Sequence, residues 1–114
     1  MKKNKRQIGY NWEEIVLNYY KQNWYVLKER NFATKQWEID LILEKNQQIV
    51  FVEVKNIPNI NDIFDYISQK KLKFLEKTIR YYIQKYKVTK DYRLDIVFVK
   101  NNEIYEIYKN VWIN

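Results

Sequence analysis

Two short runs of alternating residues constrain this chain more than any other feature in it. Gln36–Leu43 and Ile49–Lys55 place apolar side chains at every second position, Trp37, Ile39, Leu41 and Leu43 in the first and Val50, Val52 and Val54 in the second. Period-two alternation is the pattern of a strand that buries one face. A short polar stretch centred on Asn46-Gln47 is all that separates the two runs, which predicts an antiparallel hairpin. In that register Asp40 falls opposite Glu53, and Glu38 opposite Lys55. Directly opposed residues have β-carbons ~4.5–5.5 Å apart, so the two carboxylates repel unless something neutralises them. A divalent cation such as Mg²⁺, which takes oxygen ligands and keeps several waters, does this well. Lys55 projects from the same strand face as Glu53, two residues away.

The remaining elements assemble around this hairpin. Ile8–Lys21 carries Ile8, Trp12, Ile15, Val16, Tyr19 and Tyr20 at spacings of three and four, which predicts a helix. Trp24–Phe32 is rich in strand formers, and Asn56–Asn61 reads as a loop broken by Pro58. A long helix is expected over Ile63–Lys87, with a break near Ser68 and an apolar stripe of Leu72, Leu75, Ile79, Tyr82, Ile83 and Tyr86. Tyr92–Val99 and Glu103–Tyr108 are further strands. The order α-β-β-β-α-β-β predicts an α+β (α/β) domain with helices covering a central mixed sheet. A basic tail at 1–7 precedes this single domain, 8–114.

The 114 residues include no cysteine and no histidine, which excludes thiol chemistry, zinc-finger sites and any imidazole base. Catalysis by such a chain has to rest on carboxylates, lysine, tyrosine, backbone groups and a hard metal ion. No apolar run is long enough to span a membrane. The basic start, Lys2 to Arg6, leads into Trp12-Glu13-Glu14 rather than an apolar signal segment, so a cytoplasmic location is expected, with no membrane partner. The net charge of +7 is uneven. Ser68–Lys90 holds eight bases against Glu76 alone, and Lys70, Lys73, Lys77 and Arg80 step along one helix face. A basic ridge on an otherwise mildly acidic body favours a polyanionic partner.

The spacing Asp40, twelve residues, Glu53-Val54-Lys55 resembles the core of the PD-(D/E)XK nucleases. The likeness narrows to the YraN family of small bacterial proteins, described as Holliday-junction-resolvase-like endonucleases. Trp12-Glu13 resembles that family's Gly-Glu, and Tyr25–Phe32 the segment that follows it. Glu38-Ile39-Asp40-Leu41-Ile42 resembles its G-E-I-D-L-I block without the glycine, and Phe51-Val52-Glu53-Val54-Lys55 its F-V-E-V-K block. Lys71 falls at the lysine that opens its second main helix. Arg93–Val97 resembles its R-F-D-V-V strand, and Asn110-Val111-Trp112 its closing N-A-F. Three positions depart from the pattern: Trp12 and Trp37 replace glycines, and Ile57 replaces an arginine.

The resemblance implies a restriction-endonuclease-like fold and a metal-dependent endonuclease that hydrolyses phosphodiester bonds in DNA, branched or junction DNA included. Its site is carried over as Glu13, Asp40, Glu53 and Lys55. Asp40 and Glu53 would be ligands of Mg²⁺ or Mn²⁺, joined by the Val54 carbonyl and by Glu13 directly or through water. Lys70, Lys71, Lys73, Lys77 and Arg80 are the expected nucleic-acid contacts, with DNA ahead of RNA and a homodimer as the assembly. Glu38 either pairs with Lys55 or joins the metal site. Glu14 is expected in solvent, Asp95 as a structural partner of Arg93, and Tyr10, Tyr19, Tyr20, Trp24 and Tyr25 in packing. The alternatives are a nucleic-acid-binding module without cleavage, or a scaffold subunit whose basic helix docks an acidic protein.

Overall fold

The computed structural model describes residues 5–57 and 68–111, with side chains from residue 11 onward. Helix α1 (Lys5–Gln22) is followed by strands β1 (Val26–Ala33), β2 (Glu38–Lys45) and β3 (Gln48–Asn56). Helix α2 (Gln69–Lys85), β4 (Asp91–Lys100) and β5 (Glu103–Tyr108) complete the order expected from the sequence. The part of the expected long helix before Ser68, together with Pro58, lies outside the described residues. The five strands form one sheet in the order β1-β2-β3-β4-β5. β3 and β4 run parallel, and the other neighbours are antiparallel.

Each helix covers one face. On the first, Val16, Leu17 and Tyr20 of α1 meet Leu41, Leu43, Val50, Val52, Val97 and Val99. On the second, Leu72, Leu75, Ile79 and Tyr82 of α2 meet Ile39, Ile42, Ile49, Phe51, Leu94, Ile96 and Phe98. Full burial of each such side chain stabilises by roughly 1.5–3 kcal/mol, so these four positions anchor α2. Ile57, where the family pattern has arginine, is fully buried in the second core. The Ser68 hydroxyl accepts a hydrogen bond from the Lys71 N–H and caps α2 at its start. Tyr86, expected at the end of the apolar stripe, is 48% exposed and ends the helix instead.

With a single glycine in the chain, asparagine supplies most of the left-handed backbone. Five of the eight described residues with positive φ are Asn31, Asn46, Asn101, Asn102 and Asn110. Asparagine tolerates this region because its short side chain hydrogen-bonds locally. The β2–β3 turn has positive φ at both Asn46 and Gln47, as a two-residue primed turn requires. It therefore sets the register expected from the sequence, Leu41 opposite Val52 through Lys45 opposite Gln48.

That register stops at Leu41. Asp40 does not sit opposite Glu53 in the ladder, nor Glu38 opposite Lys55, as strict alternation would have them. The expected single face of Trp37, Ile39, Leu41 and Leu43 is also divided: Trp37 and Ile39 pack with α2, Leu41 and Leu43 with α1. At the same level of the neighbouring strand Asn31 has φ 52°, between the pairs Arg30–Leu41 and Phe32–Ile39. Arg30 consequently reaches α1, while Phe32, two residues on, lies in the α2 core. Trp24, expected in packing, is 82% exposed at the end of α1.

The far side of the first core holds a closed polar network. Asp95 is fully buried, accepts from the Tyr20 hydroxyl (2.7 Å) and the Arg93 Nε (3.0 Å), and also takes the Asn110 N–H (3.0 Å). Arg93 donates further to Gln48 and Tyr25. This is the structural role expected for Asp95, with α1, the sheet and the chain after β5 tied at one carboxylate. Asp95→Ala strands a guanidinium and a phenol in the interior, and we expect urea denaturation to show a loss of ~3–5 kcal/mol. Tyr20→Phe removes one hydrogen bond and should lose nearer ~1 kcal/mol.

Candidate metal centre

Where β2 parts from β3, the ladder leaves a gap, and Asp40 fills it with its side chain. Its Oδ2 accepts the Val54 N–H at 2.7 Å, a bond that a continuing β2 strand would have displaced. Glu53 stands on the α2 face of β3 and is 3% exposed. Its Oε2 accepts the indole N–H of Trp37 at 2.5 Å and lies 3.9 Å from the Lys55 ammonium. Asp40 is close enough to Glu53 and Glu13 to exchange hydrogen bonds with both.

Glu13 enters from α1, and β1 holds it there. The Asn31 amide donates to Glu13 Oε1 at 2.7 Å and to Glu38 Oε1 at 2.8 Å, bridging helix and strand. Arg30 donates to Glu14 at 2.7 Å and lies 3.8 Å from Glu13. Glu14, expected in solvent, is therefore a half-exposed ion-pair partner. Glu13, Glu38 and Asp40 can each offer one oxygen within 4.8 Å of the others, which puts Glu38 with the acids rather than with Lys55. Burial, followed by the charge of Asp40, raises Glu13 to about 7. Burial also raises Asp40, with the adjacent Glu53 carboxyl adding to the effect.

The structure brings the sequence-derived residues Glu13, Asp40, Glu53 and Lys55 together, with Val54 contributing its N–H. It adds three that pattern reading had treated only as strand or as family departures: Arg30, Asn31 and Trp37. Trp37 packs edge-on to the acids, with its ring stacked on Phe74 of α2 (centroids 6.3 Å, planes 15° apart) and the Lys55 ammonium 5.3 Å from the ring centre. Trp12 packs against the α1 core. Among the described residues no lysine of α2 is ion-paired with these acids. Lys70 lies 5.9 Å from the Phe74 ring centre, Lys73 and Lys77 are exposed, and Lys71 is half-buried. Arg80 differs from the ridge expectation, because Glu76 one turn back pairs with it at 2.6 Å.

The donor set fits a hard divalent cation. Every acidic group offers oxygen, and Glu13 and Asp40 titrate high because they are buried and, after that, because a neighbouring carboxyl faces them. Fold and cluster define a mixed α+β domain with an acidic, oxygen-only cluster at a split between two strands.

The chain belongs to the family described as "Uncharacterised protein family UPF0102", the YraN family, whose profile matches residues 12–99. A UPF0102 protein of Thermotoga petrophila is 35% identical over 101 residues, covering 89% of this chain and 93% of the relative. UPF0102 proteins of Helicobacter hepaticus and Campylobacter jejuni are each 32% identical, covering 95% and 81% of this chain and 96% and 82% of their own lengths. The matched segment contains the whole acidic cluster.

The raised acids have a thermodynamic consequence. In the folded, metal-free protein Glu13 keeps its proton to about pH 7, whereas an unfolded chain releases it near 4.5. Between those values the native state binds the extra proton, so stability falls as pH rises. In chelator we expect the urea midpoint to drop steadily from pH 5 to pH 8, and Mn²⁺ at pH 8 to restore it. Asp40→Asn should flatten both the pH slope and the Mn²⁺ response. A midpoint that rises with pH in chelator would contradict this electrostatic reading.

Proposed function

We propose that the protein is a metal-dependent nuclease that hydrolyses phosphodiester bonds in DNA. The observation that carries this reading is the convergence of Glu13, Glu38 and Asp40 within 4.8 Å, with Glu53 beside Asp40 and the Lys55 ammonium 3.9 Å from Glu53. Mg²⁺ or Mn²⁺ bound there would polarise a phosphate oxygen and lower the pKa of a water.

The chain's own residues supply the rest. Asp40 and Glu53 would be the ligands of the cation, and the Val54 N–H orients Asp40 while the Trp37 N–H orients Glu53. Glu13 completes the acidic wall, and the Asn31 amide keeps it and Glu38 turned toward Asp40. Lys55 is a compact cation held between Glu53 and the Trp37 ring, placed to offset charge developing on phosphate. The exposed lysines of α2, Lys70, Lys73 and Lys77, provide phosphate contacts that position the duplex without reading sequence. A second reading, a nucleic-acid-binding module without cleavage, is favoured by one contact: Trp37, in place of a family glycine, already occupies one Glu53 oxygen.

One assay separates the two. Branched and linear DNA are incubated with Mg²⁺ or Mn²⁺ and with wild type, Asp40→Asn or Lys55→Ala, purified identically. A nuclease loses cutting by at least ~10²-fold in both variants, in line with the loss of one electrostatic stabiliser, while Asp40→Asn binds DNA as well as wild type or better. Equal cutting by all three would assign the activity to a contaminant. Binding without cutting by wild type would select the second reading. Lys73→Glu with Lys77→Glu should weaken binding to every sequence and flatten its salt dependence.

A further inference from the structure

The turn between β1 and β2 borders more than the acids. Thr34 donates its N–H to the Trp37 carbonyl at 2.8 Å, and its hydroxyl lies 3.0 Å from that of Thr78 on α2. Beside this pin, turn and helix enclose an open groove of about 670 Å³ lined by Ala33, Thr34, Lys35, Gln36, Lys77 and Tyr81. No carboxylate lines it, and among the described residues neither Lys35 nor Lys77 has an acid within ion-pair distance. Tyr81 is 52% exposed. Close to it on the helix, Arg80 is engaged by Glu76.

The turn that lines the groove also reaches the acidic site. Trp37, which follows Gln36, donates to Glu53 and stacks on Phe74, and Lys70 lies over the other end of that stack. Lys70, Phe74, Lys77 and Tyr81 thus spread cations and rings along about 16 Å of α2, at the helical rise of 1.5 Å per residue. Cations interleaved with an exposed ring suit one ligand chemistry, a nucleic-acid strand whose phosphates meet ammonium groups and whose unpaired base stacks on the ring. A continuous duplex hides its base faces and gains nothing from Tyr81. An acidic peptide would use the lysines and ignore the ring.

We propose that this groove binds a single strand of nucleic acid, the unpaired arm of a substrate whose phosphate lies at the Asp40–Glu53 site. The inference rests on the nuclease reading and names its substrate class: DNA with a single-stranded arm next to the bond cut, such as a flap or a fork.

Fluorescence anisotropy in chelator, where nothing is cut, tests it with a labelled single strand of ~12 nucleotides, a blunt duplex and a polyglutamate competitor. We expect Tyr81→Ala to weaken single-strand binding about tenfold, Tyr81→Phe to retain it, and neither to alter duplex binding. Lys35→Glu with Lys77→Glu should weaken single-strand binding further, and Lys109→Ala, beyond β5 at the opposite edge of the sheet, should leave it unchanged. Unaltered single-strand affinity in Tyr81→Ala would overturn the proposal, as would equal losses on single strand and duplex. So would polyglutamate that displaces the strand as readily as unlabelled single strand does. A Tyr81-dependent single-strand site in a protein whose cutting survives Asp40→Asn would sink the nuclease reading and leave the groove standing.

Discussion

The crowding of carboxylates where β2 leaves β3 is the interaction on which the rest of this structure turns. Had β2 continued its ladder, Asp40 and Glu53 would face each other across two paired strands and Glu13 would be on the far side of the sheet. Instead the pairing ends at Leu41–Val52, and the vacated Val54 N–H binds the Asp40 carboxylate. A backbone donor aimed at this carboxyl stands in for the ladder bond it replaces. The gap lets an acid from α1 and acids from both strands reach one place. The surrounding donors, Asn31, Trp37, Arg30 and Lys55, offset part of the charge of these carboxyls.

The contrast with Asp95 shows what a solely structural acid looks like in this chain. Asp95 is more deeply buried than Glu13 or Glu53, yet a guanidinium, a phenol and a backbone N–H satisfy it. Two buried polar clusters occupy the same fold, one closed and one with like charges turned toward each other. Buried like charges destabilise a protein unless something binds there, so the second cluster is the one to interpret as a binding site. Trp37 ties that cluster to α2 through Phe74, and Thr34 ties the same turn to Thr78, so the turn beside the acids is anchored to the basic helix.

Much of this was legible in the amino-acid order. Alternation in β3, the Asn46-Gln47 turn and the stripe of α2 from Leu72 to Tyr82 each reflect local physics, and the structure has them as read, whereas the face expected of β2 is divided between the two cores. The Asp40–Glu53–Lys55 grouping was legible for a partly mistaken reason: the residues converge because the ladder breaks, not because it persists. Nothing in a period-two pattern marks Asn31 as the left-handed residue that turns Arg30 to one face and Phe32 to the other. A chain with thirteen asparagines and one glycine offers many candidates for such a position and no way to rank them. Trp37 was visible as a departure from a family glycine, but its hold on Glu53 depends on a stack with Phe74, which lies thirty-seven residues away in sequence and is placed by α2 packing.

The central claim is that a divalent cation sits among these carboxylates, and anomalous diffraction from Mn²⁺-soaked crystals tests it most directly. We expect one strong anomalous peak within ligand distance of Asp40 and Glu53, on the side of Glu13, and its loss in Asp40→Asn crystals soaked alongside. Ordered carboxylates without a peak, or an undiminished peak in the Asp40→Asn crystals, would contradict the metal centre.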